Sequence, residues 1–292
     1  MDRLPVPVED ALCSLGFDPV GSRLVSPLGE AKGRRCAWRV EDARGRVAKA
    51  RLFEDEAVAA RVCSLRAGLD PAFAAVLGRA REVVLEEWVD GRPVAAFEAQ
   101  ATLAWAASLL AGLHARAIPA GEDQEVDASP WLDGACTDVS RLENAELLPK
   151  SLADRARGAL SDLAPRRART AIAHLDLAME NLVVHRAAGP RVIDNEMFAV
   201  RPPGFDLARS FHLWPMSEED WRGFLRVYLS AGGRNDDAAD FWRLVALALG
   251  TRIFFERAPD RRDDAVRRLV EVLGVLETSG ASGGSGRTGG RA

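Results

Sequence analysis

The segment from His174 to Glu196 concentrates the side chains able to do chemistry. It opens as HLDLAMENLVV and closes as IDNE. An Asp stands two residues after a His, an Asn five after that Asp, and a second Asp thirteen after the Asn. Apolar runs that read as short strands bracket them. Asp176 suits a general base that orients an acceptor hydroxyl and takes its proton late. Asn181 and Asp194 are hard-oxygen ligands of the kind magnesium takes alongside phosphate oxygens and water. His174 suits holding the loop through hydrogen bonds rather than reacting. Any one of these residues alone is explained by a turn or cap. In this order they predict the polar core of an ATP-dependent phosphotransferase.

Other residues fit the same chemistry upstream. Lys49 lies mid-strand in RVAKARLF, in a chain with three lysines against thirty-six arginines. A lysine reaching the α- and β-phosphates needs a carboxylate to orient it. Glu56, or Glu54 beside it, stands at the start of the following helix, where it could also simply favour the helix N-terminus. Gly29 and Gly33 in PLGEAKGRR lie where a phosphate-covering loop belongs, with Lys32, Arg34 and Arg35 nearby, although an ordinary hairpin turn reads the same way. The connector LEEWV offers backbone groups of Glu87 and Val89 to an adenine edge, and Trp88 to pack on the base or into the core. Asp206 in GFDLAR is placed to accept backbone or His hydrogen bonds that fix the catalytic loop, or to cap the helix it precedes.

These residues need two kinds of scaffold. Residues 20 to 90 read as β-rich with one helix: CAWRV and RVAKARLF flank the turn EDARG, DEAVAARVCSLRAG is helical, and REVVLEEWV is a strand ended by Asp90-Gly91-Arg92-Pro93. After Pro93 the pattern turns helical, from Val94 to Ala117 and again from Lys150 to Ala164, with an irregular polar stretch at 119 to 149. Helical patterns follow the catalytic segment from Ser217 to Ala231, Asp236 to Phe255 and Asp260 to Leu276. The expected organisation is α+β: an N-lobe over 1–90, a mainly helical C-lobe over 91–278, and a Gly/Ser-rich, disordered tail over 279–292.

The formal net charge of -4 argues against a general nucleic-acid binder. No apolar run approaches a membrane span, and the acidic N-terminal stretch predicts a cytoplasmic chain rather than an exported one. The four cysteines lack metal-ligand spacing and read as reduced thiols.

Over roughly residues 20 to 215 the order of these features resembles the aminoglycoside phosphotransferase family, a branch of the protein-kinase-like fold. HLDLAMEN is similar to the family's HGDLHxxN, and IDNE to its IDxE. The resemblance implies a bilobal fold with ATP in the cleft, Asp176 as base, Asn181 and Asp194 on magnesium, and Lys49 on the ATP phosphates. Leu175 and Ala178 depart from the pattern. Many relatives carry His where Ala178 stands, so magnesium, Lys49 or an Arg from elsewhere must neutralise the γ-phosphate.

Three functions follow. The favoured one moves the γ-phosphate to a hydroxyl of a small molecule, an antibiotic or other polar metabolite. The short run between Asp194 and Asp206 leaves no room for a protein-kinase activation segment. The stretch Glu122 to Asp138, with six acidic and no basic residues, could attract a cationic acceptor. The second function is a Ser/Thr kinase acting on a peptide in lanthipeptide-type maturation beside a lyase partner, with Trp214, Trp221 and Trp242 forming a groove. The third is a nucleotide-binding pseudokinase.

Overall fold

Period-two alternation builds the first sheet. The computed structural model describes residues 4–25, 36–95, 98–214, 216–234 and 238–283. Met1–Ala106 with Asp176–Ala199 forms one compact unit, and Ala107–Leu175 with Val200–Ala292 a second.

The first unit opens with α1 (Val6–Ser14). Strands β1 (Pro19–Leu24), β2 (Ala37–Asp42), β3 (Val47–Leu52), β4 (Val76–Ala80) and β5 (Val83–Glu87) form a sheet in the order β1-β2-β3-β5-β4. Every pairing in it is antiparallel. The expected turn between β2 and β3 is closed by Asp42, whose Oδ1 accepts the amides of Arg44 at 3.0 Å and Arg46 at 2.9 Å. Gly45 in that turn has φ +74°, a backbone setting that favours glycine. Ala48, Ala50, Val83 and Leu85 join Leu12, Phe17, Trp38 and Val40 in one buried cluster, so α1 covers that face. The alternate residues Lys49, Arg51 and Glu86 therefore belong to the opposite face. Helix α2 (Glu56–Arg66) follows β3, and its N-cap Asp55 accepts the Val58 amide at 2.8 Å.

The short β6 (Arg92–Pro93) precedes α3 (Ala99–His114), which carries the chain onward from the first unit. The next elements are β7 (Glu125–Asp127), α4 (Ser129–Asn144), α5 (Lys150–Leu163), β8 (Arg167–Arg169) and β9 (Ala171–Ala173). Strands β10 (Leu182–His185) and β11 (Gly189–Val192) return to the first unit as a hairpin, with β6 on its other side. Strand β12 (Ala199–Arg201) pairs with β9. Helices α6 (Pro203–Leu213), α7 (Glu218–Ser230), α8 (Ala239–Arg257) and α9 (Arg262–Gly283) complete the described residues. Buried residues fall all round the N-terminal part of α8, from Phe241 to Ala248. It is the central helix of the second unit and packs on α4, α6 and α9.

Two sequence expectations change here. The stretch 119 to 149 is not irregular throughout: α4 occupies 129–144. Its buried positions Ala135, Asp138, Val139 and Leu142 keep helical spacing, but Gly, Thr and Ser between them weaken the sequence signal. Trp214, Trp221 and Trp242 form no exposed groove, being 3%, 4% and 0% exposed.

Candidate functional site

The first unit holds a cavity of about 600 Å³ lined by Lys49, Glu86, Glu87, Trp88, Val89 and Asp194, among others. Residues far apart in sequence meet on its wall. The Lys49 Nζ contacts Asp194 Oδ1, and Arg51 Nη2 lies 2.8 Å from the same oxygen. Arg51 Nη1 is 3.0 Å from Glu196. Asp194 holds φ +58°, which costs about 1–2 kcal/mol for a residue with a Cβ. The surrounding ion pairs keep the carboxylate in that setting.

Glu86 is the deepest carboxylate of this group, with 2% exposure. It stands directly across from Lys49 in the β3–β5 register. Its side chain pairs with Arg66 at the end of α2 and lies 3.9 Å from Arg51 Nε. Burial by itself would raise its pKa. The charges of Arg66, Lys49 and Arg51 outweigh that and hold the carboxyl below the usual glutamate value. Conversely, Glu196, Glu86 and Asp194 raise the Arg51 pKa against the opposing effect of burial.

Glu56 is not part of this cluster. It was expected to orient Lys49, but its Oε1 is 3.2 Å from Arg79 on β4. Glu56 is the first residue of its helix and is exposed; the residue of α2 that reaches the charged face of the sheet is Arg66. Gly29 and Gly33 lie outside the described residues. The Glu87 side chain is tied to Arg191 at 2.6 Å, which lowers its pKa against the raising effect of burial. Glu87 and Val89 both line the cavity. Trp88 is half-buried, donates from Nε1 to Asp90 at 2.9 Å, and carries the Arg39 guanidinium over its ring.

Asp176 and Asn181 are joined directly. Asn181 Nδ2 donates to both the carbonyl and Oδ2 of Asp176, each at 2.9 Å. The Ala178 amide donates to the Asp176 carbonyl at 2.8 Å, which makes the loop a tight turn. The Asn181 carbonyl accepts the Ile193 amide at 2.9 Å, extending the β10–β11 ladder by one pair. Asn181 therefore sits at the open end of the hairpin, across from the residue before Asp194. Since its amide donates through nitrogen, its Oδ1 is the atom that could meet a metal. Among the described residues no group of three or more His, Cys, Asp or Glu could hold a metal ion. A site of one Asn oxygen and one carboxylate is the sparse donor set that suits magnesium sharing phosphate oxygens.

In the second unit Asp206 is an acceptor hub with no exposed surface. It accepts the amides of His174 at 2.8 Å and Leu175 at 2.7 Å, and lies 3.0 Å from His114 Nε2. Burial would raise its pKa, but the hydrogen bond from His114 and the charges of His114 and His174 win and lower it. Leu175, held at φ +66°, immediately precedes Asp176 in the chain. His114 Nδ1 in turn meets the Tyr228 hydroxyl at 3.0 Å.

The sequence reading did not reach Glu86, Arg51, Arg66, His114 or Tyr228. A signal existed for Arg51 and Glu86. Arg51 is two residues from Lys49 in a strand, and Glu86 ends the apolar run Val83–Leu85, so both had to face where Lys49 faces. No local pattern marks His114 or Tyr228, because their partner is distant in sequence.

The acidic stretch is also partly spent internally. Asp138 lies 2.6 Å from Arg252 and Glu125 3.2 Å from Arg167. No helix among the described residues is long and apolar enough to cross a membrane.

Several solved structures share the fold. A macrolide 2'-phosphotransferase type I matches with TM-score 0.64 at 17% identity, covering 94% of this chain and 99% of that one. Choline kinase LicA from Streptococcus pneumoniae matches with TM-score 0.63 at 13% identity, covering 90% and 96%. A streptomycin-ATP-APH(2")-IIa ternary complex matches with TM-score 0.57 at 16% identity, covering 93% and 97%. No curated protein sequence matches the chain. The APH model, described as the phosphotransferase enzyme family, matches residues 32–242. The α+β, protein-kinase-like fold and that match over most of its length place the chain in this family: it belongs to the phosphotransferase enzyme family.

Proposed function

We propose that the chain moves the γ-phosphate of Mg-ATP to a hydroxyl of a small molecule. The observation that carries this reading is the meeting of Lys49 and Asp194 on a cavity wall shared with the Glu87–Val89 connector. The connector backbone holds the adenine edge, and Lys49 holds the α- and β-phosphates. Glu86, across the strand from Lys49, supplies the orienting carboxylate first assigned to Glu56. Asn181 and Asp194 would hold magnesium, which when bound would neutralise phosphate charge. Arg51 brings a second positive charge to Asp194 and offsets the lack of a cation at Ala178.

Asp176 orients the acceptor hydroxyl and receives its proton at the carboxylate. The two hydrogen bonds from Asn181 set that carboxylate's direction. His174 and Asp206 act one step back, by fixing the backbone that leads into Asp176. A small acceptor is favoured over a peptide because the three tryptophans offered as a peptide groove are buried.

An acceptor screen with ATP consumption as readout tests the reading. Asp176→Asn is expected to lower turnover by about 10²–10⁴-fold while leaving nucleotide affinity in place. Undiminished turnover in that variant removes Asp176 as the base. Absence of nucleotide binding by the wild-type protein removes the whole reading.

A further inference from the structure

The connector from Glu87 to Gly91 is tied to the β10–β11 hairpin at both of its ends. At its start, Arg191 on β11 grips the Glu87 carboxylate as a fork, with Nη2 on Oε2 at 2.6 Å and Nη1 on Oε1 at 3.3 Å. The Ala75 amide donates to the same Oε2 at 3.1 Å, and the Glu87 amide donates to the Ala75 carbonyl at 2.8 Å. The segment before β4 is laced to β11 as well. The Ala74 amide donates to the Val192 carbonyl at 3.0 Å, and the Val192 amide to the Ala72 carbonyl at 2.7 Å. At the other end, β6 pairs with Val183 and Val184 of β10. Gly91 lies flush on that strand, where an added Cβ would stand 3.0 Å from both the Val183 Cβ and the Val184 carbonyl oxygen.

The two pieces joined in this way share the wall of the nucleotide cavity. Glu87, Trp88, Val89 and Gly91 line it from the connector, and Val183, Ile193 and Asp194 from the hairpin end. Arg191 is not one of the described residues lining it. Its side chain is 11% exposed, and Nη2 also lies 3.4 Å from the Phe73 carbonyl. The guanidinium therefore bears on the cavity through Glu87. A charge-assisted fork fixes direction as well as distance. It sets the gap between the connector backbone and the apolar side chains of Val183 and Ile193, which a flat base must fill. Lys49 and Asp194, at the phosphate end, are held by a separate set of ion pairs with Arg51, Glu86 and Glu196.

We infer that Arg191 is a positioning residue for the base end of this cavity: through Glu87 it holds the connector at the spacing that binds a purine nucleoside, independently of the phosphate end. The inference rests on the phosphotransfer reading for the class of ligand, and every residue in it belongs to the first unit.

Calorimetric titration with adenosine reads the base end, and titration with Mg-tripolyphosphate reads the phosphate end. Glu87→Gln keeps the side-chain shape at a position 35% exposed, so the variant retains the fold. The wild type should bind both probes. Glu87→Gln and Arg191→Gln should each weaken adenosine about fivefold, the upper range for a partly exposed pair, and leave tripolyphosphate affinity within about twofold. The double variant should bind adenosine no more weakly than either single one, because all three lose the same pair. Arg191→Lys, which keeps the charge but not the fork, should fall between wild type and Arg191→Gln. Unchanged adenosine affinity in the single variants, or losses that add in the double one, overturn the inference. Equal losses for both probes also overturn it, since the pair then only supports the fold. A wild type that binds tripolyphosphate but not adenosine removes this inference alone; one that binds neither removes the phosphotransfer reading with it.

Discussion

Replacing Glu86 with Gln removes one charge from a cluster of ion pairs. Lys49, Arg51 and Arg66 face Glu86, Asp194 and Glu196, three cations against three carboxylates. Gln keeps the shape but leaves three cations against two carboxylates, with Arg66 and Arg51 still buried. Breaking a buried ion pair from one side costs about 3–5 kcal/mol. For a unit of this size that corresponds to a fall in Tm of about 10 °C or more. Calorimetry of wild type and Glu86→Gln reads the loss directly. The pH dependence adds a second readout. The Glu86 pKa is lowered on folding, so its contribution is fully present above the ordinary glutamate range and is lost as pH falls through the folded value. The variant should show a shallower loss of stability in acid. Its KM for ATP should rise several-fold, roughly matching a loosened Lys49. Glu56→Gln is the contrast: its pair with Arg79 is largely exposed and worth roughly 0–1 kcal/mol. Equal, small effects of the two substitutions on Tm and KM would refute the idea that the strand carboxylate, rather than the helix one, steadies Lys49.

Two further predictions concern the second unit. Burial, followed by the charges of Arg209, Arg268 and Arg261, pushes the His212 pKa down to about 3, so the folded protein keeps this ring neutral where the unfolded chain protonates it. Stability should therefore fall by about 1.4 kcal/mol per pH unit from this group as pH drops from about 6.5 toward 3; His212→Gln should reduce that slope in denaturant titrations at several pH values, and an unchanged slope would show that the ring is protonated in the fold. A Cβ at Gly204 would lie 2.8 Å from Trp242 Nε1 and closer still to the indole carbon beside it. Gly204→Ala should cost about 1–3 kcal/mol by overpacking the α6–α8 contact, as measured by urea unfolding.

Much of the nucleotide-facing half of the molecule is legible from local pattern. Strand alternation places Lys49 and Arg51 on one face, and the EDARG turn joins the two strands that carry them. The hairpin between Asn181 and Asp194 is short, so local pairing brings Asn181 opposite Ile193, the residue before Asp194. Helix α4 is hidden by its composition: small and polar residues lower its propensity, and packing against α8 and α5 selects the helix.

Which charge pairs with which is a different matter. A glutamate five to seven residues beyond a strand lysine looks like its partner, because sequence offers nearness along the chain as the only measure. In the folded sheet the nearest carboxylates come from β5 and from the far end of the β10–β11 hairpin. The same holds for the bonds of His114 to Asp206 and Tyr228, which span 92 and 114 residues. The order of side-chain types along the chain determined which chemistry is available. Long-range strand register and burial alone decided the ion-pair partners, because electrostatic energy depends on distance and dielectric in space, and neither is encoded locally.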